Sequence, residues 1–307
     1  MSFPASPTPP HQQPVLPTVA GSLSGFAFIT VTALFFGAAP TFARLAFDGG
    51  TGALTLQLAR FALAGVGLSL LLAVTGRPMV IRRRHLPLLT ALVLLSGGAS
   101  YGYMTSVRSI PVPVASLVFF TFPLMVGPLA HLLGDERLTL RRVLALGVGF
   151  TGIALLLEGG VAHADPVGLA MAFGGGTCVA VSFQVSRRLT AEIPPLLLTA
   201  TVASACALFS GALIAMLGGL QLPTDPRGWT GVLGNAVAYT VGLTCLFAAI
   251  QRLGTVRAAV AVNLEPVVSV ALAAAVLGEA LTGIQLVGAL VVLAGIVLAQ
   301  GRRRRPV

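Results

Sequence analysis

Charge is what this chain lacks. Of its 307 residues only 9% are charged, and lysine is absent, so all nineteen basic residues are arginine. A water-soluble domain carries about 25% charged residues. This chain has too few to cover a hydrated surface. The net charge of +10 could suit nucleic acid. The arginines, however, form short clusters between apolar runs, with few aromatics beside them to stack on bases, so no nucleic-acid partner is expected. Cysteine is scarce too: Cys178, Cys206 and Cys245 each lie inside an apolar run, without a CxxC partner or a histidine at ligand spacing. That argues against a zinc site or a disulfide framework. The four histidines are scattered. A membrane-embedded enzyme would need His, Asp or Cys clustered near one interface, so neither enzyme nor cofactor is expected. With no P-loop, ATP-driven pumping has no support.

What the chain has instead is apolar length: 56% hydrophobic residues and a mean hydropathy of +0.94. A helix crosses about 30 Å of hydrocarbon with about 20 apolar residues. Cutting at charge, Pro and Gly clusters gives ten candidate spans, near 24–43, 53–75, 86–106, 112–133, 141–158, 166–186, 195–217, 229–250, 256–277 and 283–300. The expected fold class is an all-α integral membrane protein. Residues 1–22 hold many prolines and no positive n-region, and read as a disordered tail; residues 301–307 form a basic tail. With the N-terminus in the cytoplasm, fifteen arginines fall in inside loops or the C-terminal tail, whereas Arg44, Arg108 and Arg227 fall outside. This positive-inside bias places both termini in the cytoplasm and the chain in the cytoplasmic membrane. Runs such as IRRRH and GRRRRP then read as topology anchors.

The chain also repeats itself. A shift of 143 residues sets PLMVGPLAHLLGDERLTLRRVLALGVGFTGIALLL, from Pro123, on PVVSVALAAAVLGEALTGIQLVGALVVLAGIVLAQ, from Pro266. Pro123 falls on Pro266, Glu136 on Glu279, Thr139 on Thr282, Gly152 on Gly295 and Arg44 on Arg187. Two five-helix units follow, residues 23–160 and 161–300. Five is odd, so the second unit is expected to run inverted, with a substrate site near the midplane between the halves.

The paired motifs P…GDERLT…G and P…GEALT…GIQLVGALVVLAGI resemble those of EamA-type carriers of the drug/metabolite transporter superfamily. ALFFGAAPTFARLA and LQLARFALAG are similar to that family's usual openings, although Phe36 stands where many members carry tryptophan. The resemblance covers about residues 24 to 300. It implies ten transmembrane helices in two inverted halves and movement of a small metabolite, often the export of amino acids. The stretch NLEPVVSVALAAAVLGEALT is similar to the amino-acid exporter branch in particular. The family motifs fall on Pro123, Glu136, Pro266 and Glu279, as architectural positions.

Candidate site residues follow from charge and polarity at membrane depth. Glu265 lies roughly 14 Å into its span at 1.5 Å per residue, where a charge costs about 2.5–3.5 kcal/mol. It should therefore face the bundle. The shift sets Phe122 at its place, so the architecture does not require an acid there. Pro266 leaves the carbonyl of Val262 without its helical donor, and a broken helix beside a carboxylate suits an ion or substrate; capping loosened backbone is the plainer alternative. Neighbouring Asn263 belongs to the same stretch. Arg60 lies roughly 10 Å down from the other side, with Gln57 one turn above it. It is expected either to pair with Glu265 or to bind a substrate carboxylate, snorkelling outward being the alternative. Spans 3 and 8 supply Ser96, Ser100, Tyr101 and Tyr103 against Asn235, Tyr239, Thr240 and Thr244, as cavity lining or as interhelical bonds. Three glycines in AFGGGTCVAVSFQ allow close approach or a hinge. The expected protein is a secondary exporter of an amino-acid-like or amphipathic metabolite, surrounded by lipid, with a proton as a candidate coupling ion and a homodimer as one open arrangement. An uncoupled facilitator and a non-transporting sensor or scaffold stand as the alternatives.

Overall fold

The computed structural model describes residues 19–110, 112–135, 139–157, 165–277 and 282–300. Among them are twelve α-helices, a single 3-10 turn at Arg83–His85, and no strand. The first half holds α1 (Val19–Asp48), α2 (Ala53–Val74), α3 (Leu86–Ser109), α4 (Val112–Phe119), α5 (Phe122–Leu132) and α6 (Leu140–Leu157). The second holds α7 (Pro166–Thr190), α8 (Pro195–Leu217), α9 (Pro226–Leu253), α10 (Thr255–Val262), α11 (Leu264–Leu277) and α12 (Gly283–Gln300). Seven helical stretches are long and apolar enough to cross a membrane. Large apolar side chains such as Val66, Leu70, Leu208 and Leu290 lie on the outside of the bundle, as hydrocarbon surroundings require.

The ten apolar runs fall on these helices, two of them in pieces. Run 112–133 divides into α4 and α5 at Phe120–Thr121, and run 256–277 into α10 and α11 at Asn263. Both breaks precede a proline, Pro123 or Pro266. Proline donates no backbone hydrogen bond and its ring crowds the carbonyl four residues back. Shorter bonds take over: Thr121 N–H reaches the Val118 carbonyl at 3.2 Å and Asn263 N–H that of Val260 at 3.2 Å, one tightened turn in each case.

Helix ends differ from the sequence expectation. α1 begins at Val19, inside the segment read as a tail, because the last proline before it is Pro17. It runs on past Arg44 to Asp48, since a charge does not end a helix but Gly49 and Gly50 do; Gly50 has φ +87°. Residues 1–18 and 301–307, with Glu136 and Glu279, lie outside the described residues. Asp165 and Asp225 serve as caps, accepting from Gly168 N–H at 2.9 Å and Gly228 N–H at 2.6 Å. Thr282 and Gln285 form a reciprocal capping box at the start of α12.

Four helix pairs build the bundle: α1 with α9, α3 with α7, α2 with α8, and α6 with α12. Each pair meets through glycine. A Cβ on Gly231 of α9 would overlap the backbone of Ala46 on α1; one on Gly102 of α3 would lie 2.6 Å from the Met171 carbonyl oxygen of α7. Gly65 of α2 lies against the backbone of Ser204 on α8, and Gly152 of α6 against that of Val292 on α12. The glycine run in α7 leaves the helix unbroken: Gly175 and Gly176 admit the backbones of α3 and α4, while Gly174 faces open space. Close approach, rather than a hinge, is what that run provides in this structure.

Loops close the two ends of the bundle differently. At one end Thr224 N–H bonds the Gly49 carbonyl at 2.9 Å and Gly52 N–H that of Gln221 at 3.2 Å. At the other end Arg84 pairs with Glu192, and His85 lies 3.5 Å from the same carboxylate.

The packing claim has a paired test. Gly67 has nothing within 4 Å of an added Cβ, so Gly67→Ala should raise stability by up to about 1 kcal/mol through helix propensity. Gly231→Ala should lower it by about 1–3 kcal/mol through overpacking. Thermal unfolding in detergent reads both, and equal shifts of the same sign would refute the close contact.

Candidate functional site

Arg60 is held by three elements. α2 carries it one turn below Gln57; α3 brings Ser100, and α9 brings Tyr239. The guanidinium donates from Nη2 to Ser100 Oγ at 3.2 Å and faces the Tyr239 ring, 4.8 Å from its centroid, and the Phe61 ring at 5.0 Å. Phe61 meets Tyr239 edge to face at 5.1 Å, and Phe36 stacks on Tyr239 at 6.0 Å. A desolvated cation on aromatic faces gains about 2 kcal/mol or more. No carboxylate lies within ion-pair distance of Arg60 among the described residues, and its buried Nε has no hydrogen-bond partner. Ser100 passes its own proton to Gln57 Oε1 at 2.5 Å, and Gln57 Nε2 donates to Ser210 Oγ on α8 at 3.4 Å.

Glu265 is the second residue of α11. It sits where the first N–H groups of a helix lack partners and the helix dipole is positive, a setting that favours a carboxylate. Its carbonyl oxygen packs on Gly37 of α1, 2.9 Å from an added Cβ. Among the described residues its side chain makes no ion pair and no hydrogen bond. The expected pairing of Arg60 with Glu265 is therefore not made. The two reach similar depths, but Arg60 turns toward α3 and α9, where Ser100 and two rings take it up. Depth along a helix does not specify direction around it.

The other candidates divide. Tyr103 donates to or accepts from Ser116 Oγ at 2.8 Å, its ring lies on Phe119 at 5.0 Å, and its hydroxyl is within electrostatic range of Glu265. Asn263 occupies the α10–α11 break at 1% exposure, its Nδ2 turned to Gly149 of α6 and its Oδ1 unpartnered. Asn235, 2% exposed, braces α9 to α1 through the Ala39 carbonyl at 2.9 Å. Thr244 donates to Thr240 O within its own helix at 2.8 Å. Tyr101 is 64% exposed, away from both groups; the residues beside it in α3, Ser100 and Gly102, take the inward positions. Pro123 and Pro266 sit just past the two breaks. The result is two foci, Arg60 with its relay and Glu265 at the broken helix.

Ser210, Phe61, Ser116 and Glu192 were not singled out by the sequence. A lone serine in an apolar helix carries no signal of the partner that a distant helix will bring. Glu192 had a readable one, an acid two residues before Pro194 in an arginine-rich neighbourhood. Among the described residues no three His, Cys, Asp or Glu side chains group to hold a metal, and the cysteines are free.

The sequence profile of the EamA-like transporter family matches residues 23–158 and 166–300. This chain belongs to that family. It is a multi-pass membrane protein, and its relatives are transporters. The threonine/homoserine exporter RhtA of Salmonella typhimurium is 29% identical over 223 residues, 69% of this chain and 70% of the relative. RhtA of Escherichia coli K12 is 30% identical over 215 residues, 67% and 68% of the two chains. An uncharacterized transporter of Archaeoglobus fulgidus is 26% identical over 202 residues, 64% and 70%. A solved crystal structure superposes with a TM-score of 0.79 at 19% identity, over 92% of this chain and 97% of its own, a likeness of fold.

Because Arg60 and Glu265 do not pair, exchanging them (Arg60→Glu with Glu265→Arg) should rescue neither single variant. The coupling free energy read from unfolding of the four proteins should stay below about 0.5 kcal/mol; a double variant more stable than either single would contradict the geometry.

Proposed function

We propose that this chain is a secondary transporter that exports a small amino-acid-like metabolite across the cytoplasmic membrane by alternating access. The halves are residues 23–160 and 161–300, inverted with respect to each other, with ten crossings and both termini cytoplasmic. Exchange of the halves maps the α1–α9 contact onto α7–α3 and returns α2–α8 and α6–α12 to themselves; the two breaks, too, stand 143 residues apart. These relations support a two-fold axis in the membrane plane, the arrangement that lets one site face either side.

The observation that carries the substrate class is the buried Arg60 guanidinium, which has no acid partner and keeps Nε free. An uncompensated cation away from water is costly unless a counter-charge arrives. A carboxylate can meet its planar fork with two parallel bonds, and the exporter relatives are named for threonine and homoserine. Glu265, at the N-terminal turn of a half-helix, is the candidate for the coupling proton; it can release that proton toward one side and take it up from the other.

Counterflow in proteoliposomes tests the reading, with labelled threonine, homoserine and a panel of amino acids. Wild type should exchange at least one of them. Arg60→Gln should raise its KM roughly 10- to 150-fold, the equivalent of about 1.5–3 kcal/mol for a charged hydrogen bond. An unchanged KM in that variant would remove Arg60 from the site. Glu265→Gln should keep exchange but lose its response to a pH gradient; a retained response would favour an uncoupled facilitator, or a different proton carrier.

A further inference from the structure

The relay behind Arg60 has a direction, and its last member is neutral. Ser100 Oγ carries one proton and receives one from Arg60 Nη2, which can only donate. The serine proton therefore goes to Gln57 Oε1, at 2.5 Å. The reverse amide orientation would aim two donors at Ser100 and leave its own proton unspent. Gln57 Nε2 completes the chain on Ser210, which is 1% exposed. Three helices, α2, α3 and α8, thus fix how the guanidinium is turned.

A glutamate at position 57 would fit the same space and would compensate the buried charge. Burial favours such a counter-ion, because an unpaired charge in low dielectric is destabilising. The chain has glutamine there instead. We infer that Gln57 is a positioning and specificity residue, which orients Arg60 through Ser100 while leaving its charge unpaired, so that the site selects a carboxylate over its neutral isostere. This rests on the reading of Arg60 as the substrate's carboxylate partner and adds a cause for it. Ser100 is the coupling element: its Oγ is the atom that Arg60 and Gln57 share.

Two measurements test the inference, and they fail separately. The first needs no substrate. Gln57→Glu should raise the melting temperature in detergent by about 2 °C or more, on the scale of about 2–4 °C per kcal/mol. The gain should disappear when Arg60→Gln is added, because the new carboxylate then lacks its partner. A Gln57→Glu variant no more stable than wild type, or equally stabilised in the Arg60→Gln background, overturns the relay. The second is transport of threonine against threoninamide. Wild type should prefer threonine; Gln57→Glu should raise the threonine KM about tenfold or more, with Vmax within about threefold, and narrow the preference. Ser100→Ala should loosen the preference with a smaller KM change, and Ser100→Thr, which keeps the hydroxyl, should restore it. If Arg60→Gln abolishes the preference but Gln57→Glu retains it, the relay inference fails and the Arg60 reading stands. If wild type does not distinguish the two compounds, the Arg60 reading fails, and with it the specificity role of Gln57.

Discussion

In hydrocarbon, apolar side chains gain little by leaving lipid for one another, so helix association has to come from backbone approach and van der Waals contact. Gly231, Gly102, Gly65 and Gly152 supply that approach in the four main pairs. Every other feature depends on it. Backbone interrupted at membrane depth is tolerated only inside protein or along a water-filled cavity, and the pairs enclose the breaks at Phe120–Thr121 and Asn263. Without the glycine seams the helices would stand too far apart for Thr32 Oγ1 to reach the Gly242 carbonyl at 3.2 Å, or Asn235 the Ala39 carbonyl.

The polar groups inside the bundle fall into two kinds. Thr32, Asn235 and Gln184 reach main-chain carbonyls of neighbouring helices; they brace. Arg60 and Glu265 carry charge-bearing groups without a counter-charge among the described residues. The shift of 143 residues places Ala203 at the position of Arg60, Ala200 at that of Gln57, and Phe122 at that of Glu265. The scaffold is duplicated and the chemistry is not. A site with distinct ends suits a substrate with distinct ends, and α-amino acids have a carboxylate at one and an ammonium at the other.

The ends of the bundle show the same duplication with different chemistry. Gly49 and Gly228 touch through backbone at one end; the shift sets Glu192 and His85 at those places, and there the loops meet through an ion pair. Backbone bonds between Gly52 and Gln221 and between Thr224 and Gly49 survive any change of protonation. The Arg84–Glu192 pair, being largely exposed, contributes little to stability and parts easily.

Much of this was written along the chain. Apolar length dictates helices, arginine placement suggests an orientation, and prolines at 123 and 266 announce breaks, because each effect is local to a segment and its solvent. Family membership was legible for the same reason: the motifs P…GDERLT and P…GEALT survive as strings. Direction around each helix was not legible. Whether Arg60 meets Glu265 or two aromatic rings, whether Tyr101 or Ser100 faces inward, and whether Thr244 serves a ligand or its own helix all depend on how α2, α3 and α9 are rotated against their neighbours. That rotation is set by which glycines seat against which backbones across separations of a hundred residues or more. A one-dimensional pattern holds the depth of a charge in the membrane. Only the packed bundle decides what the charge finds there.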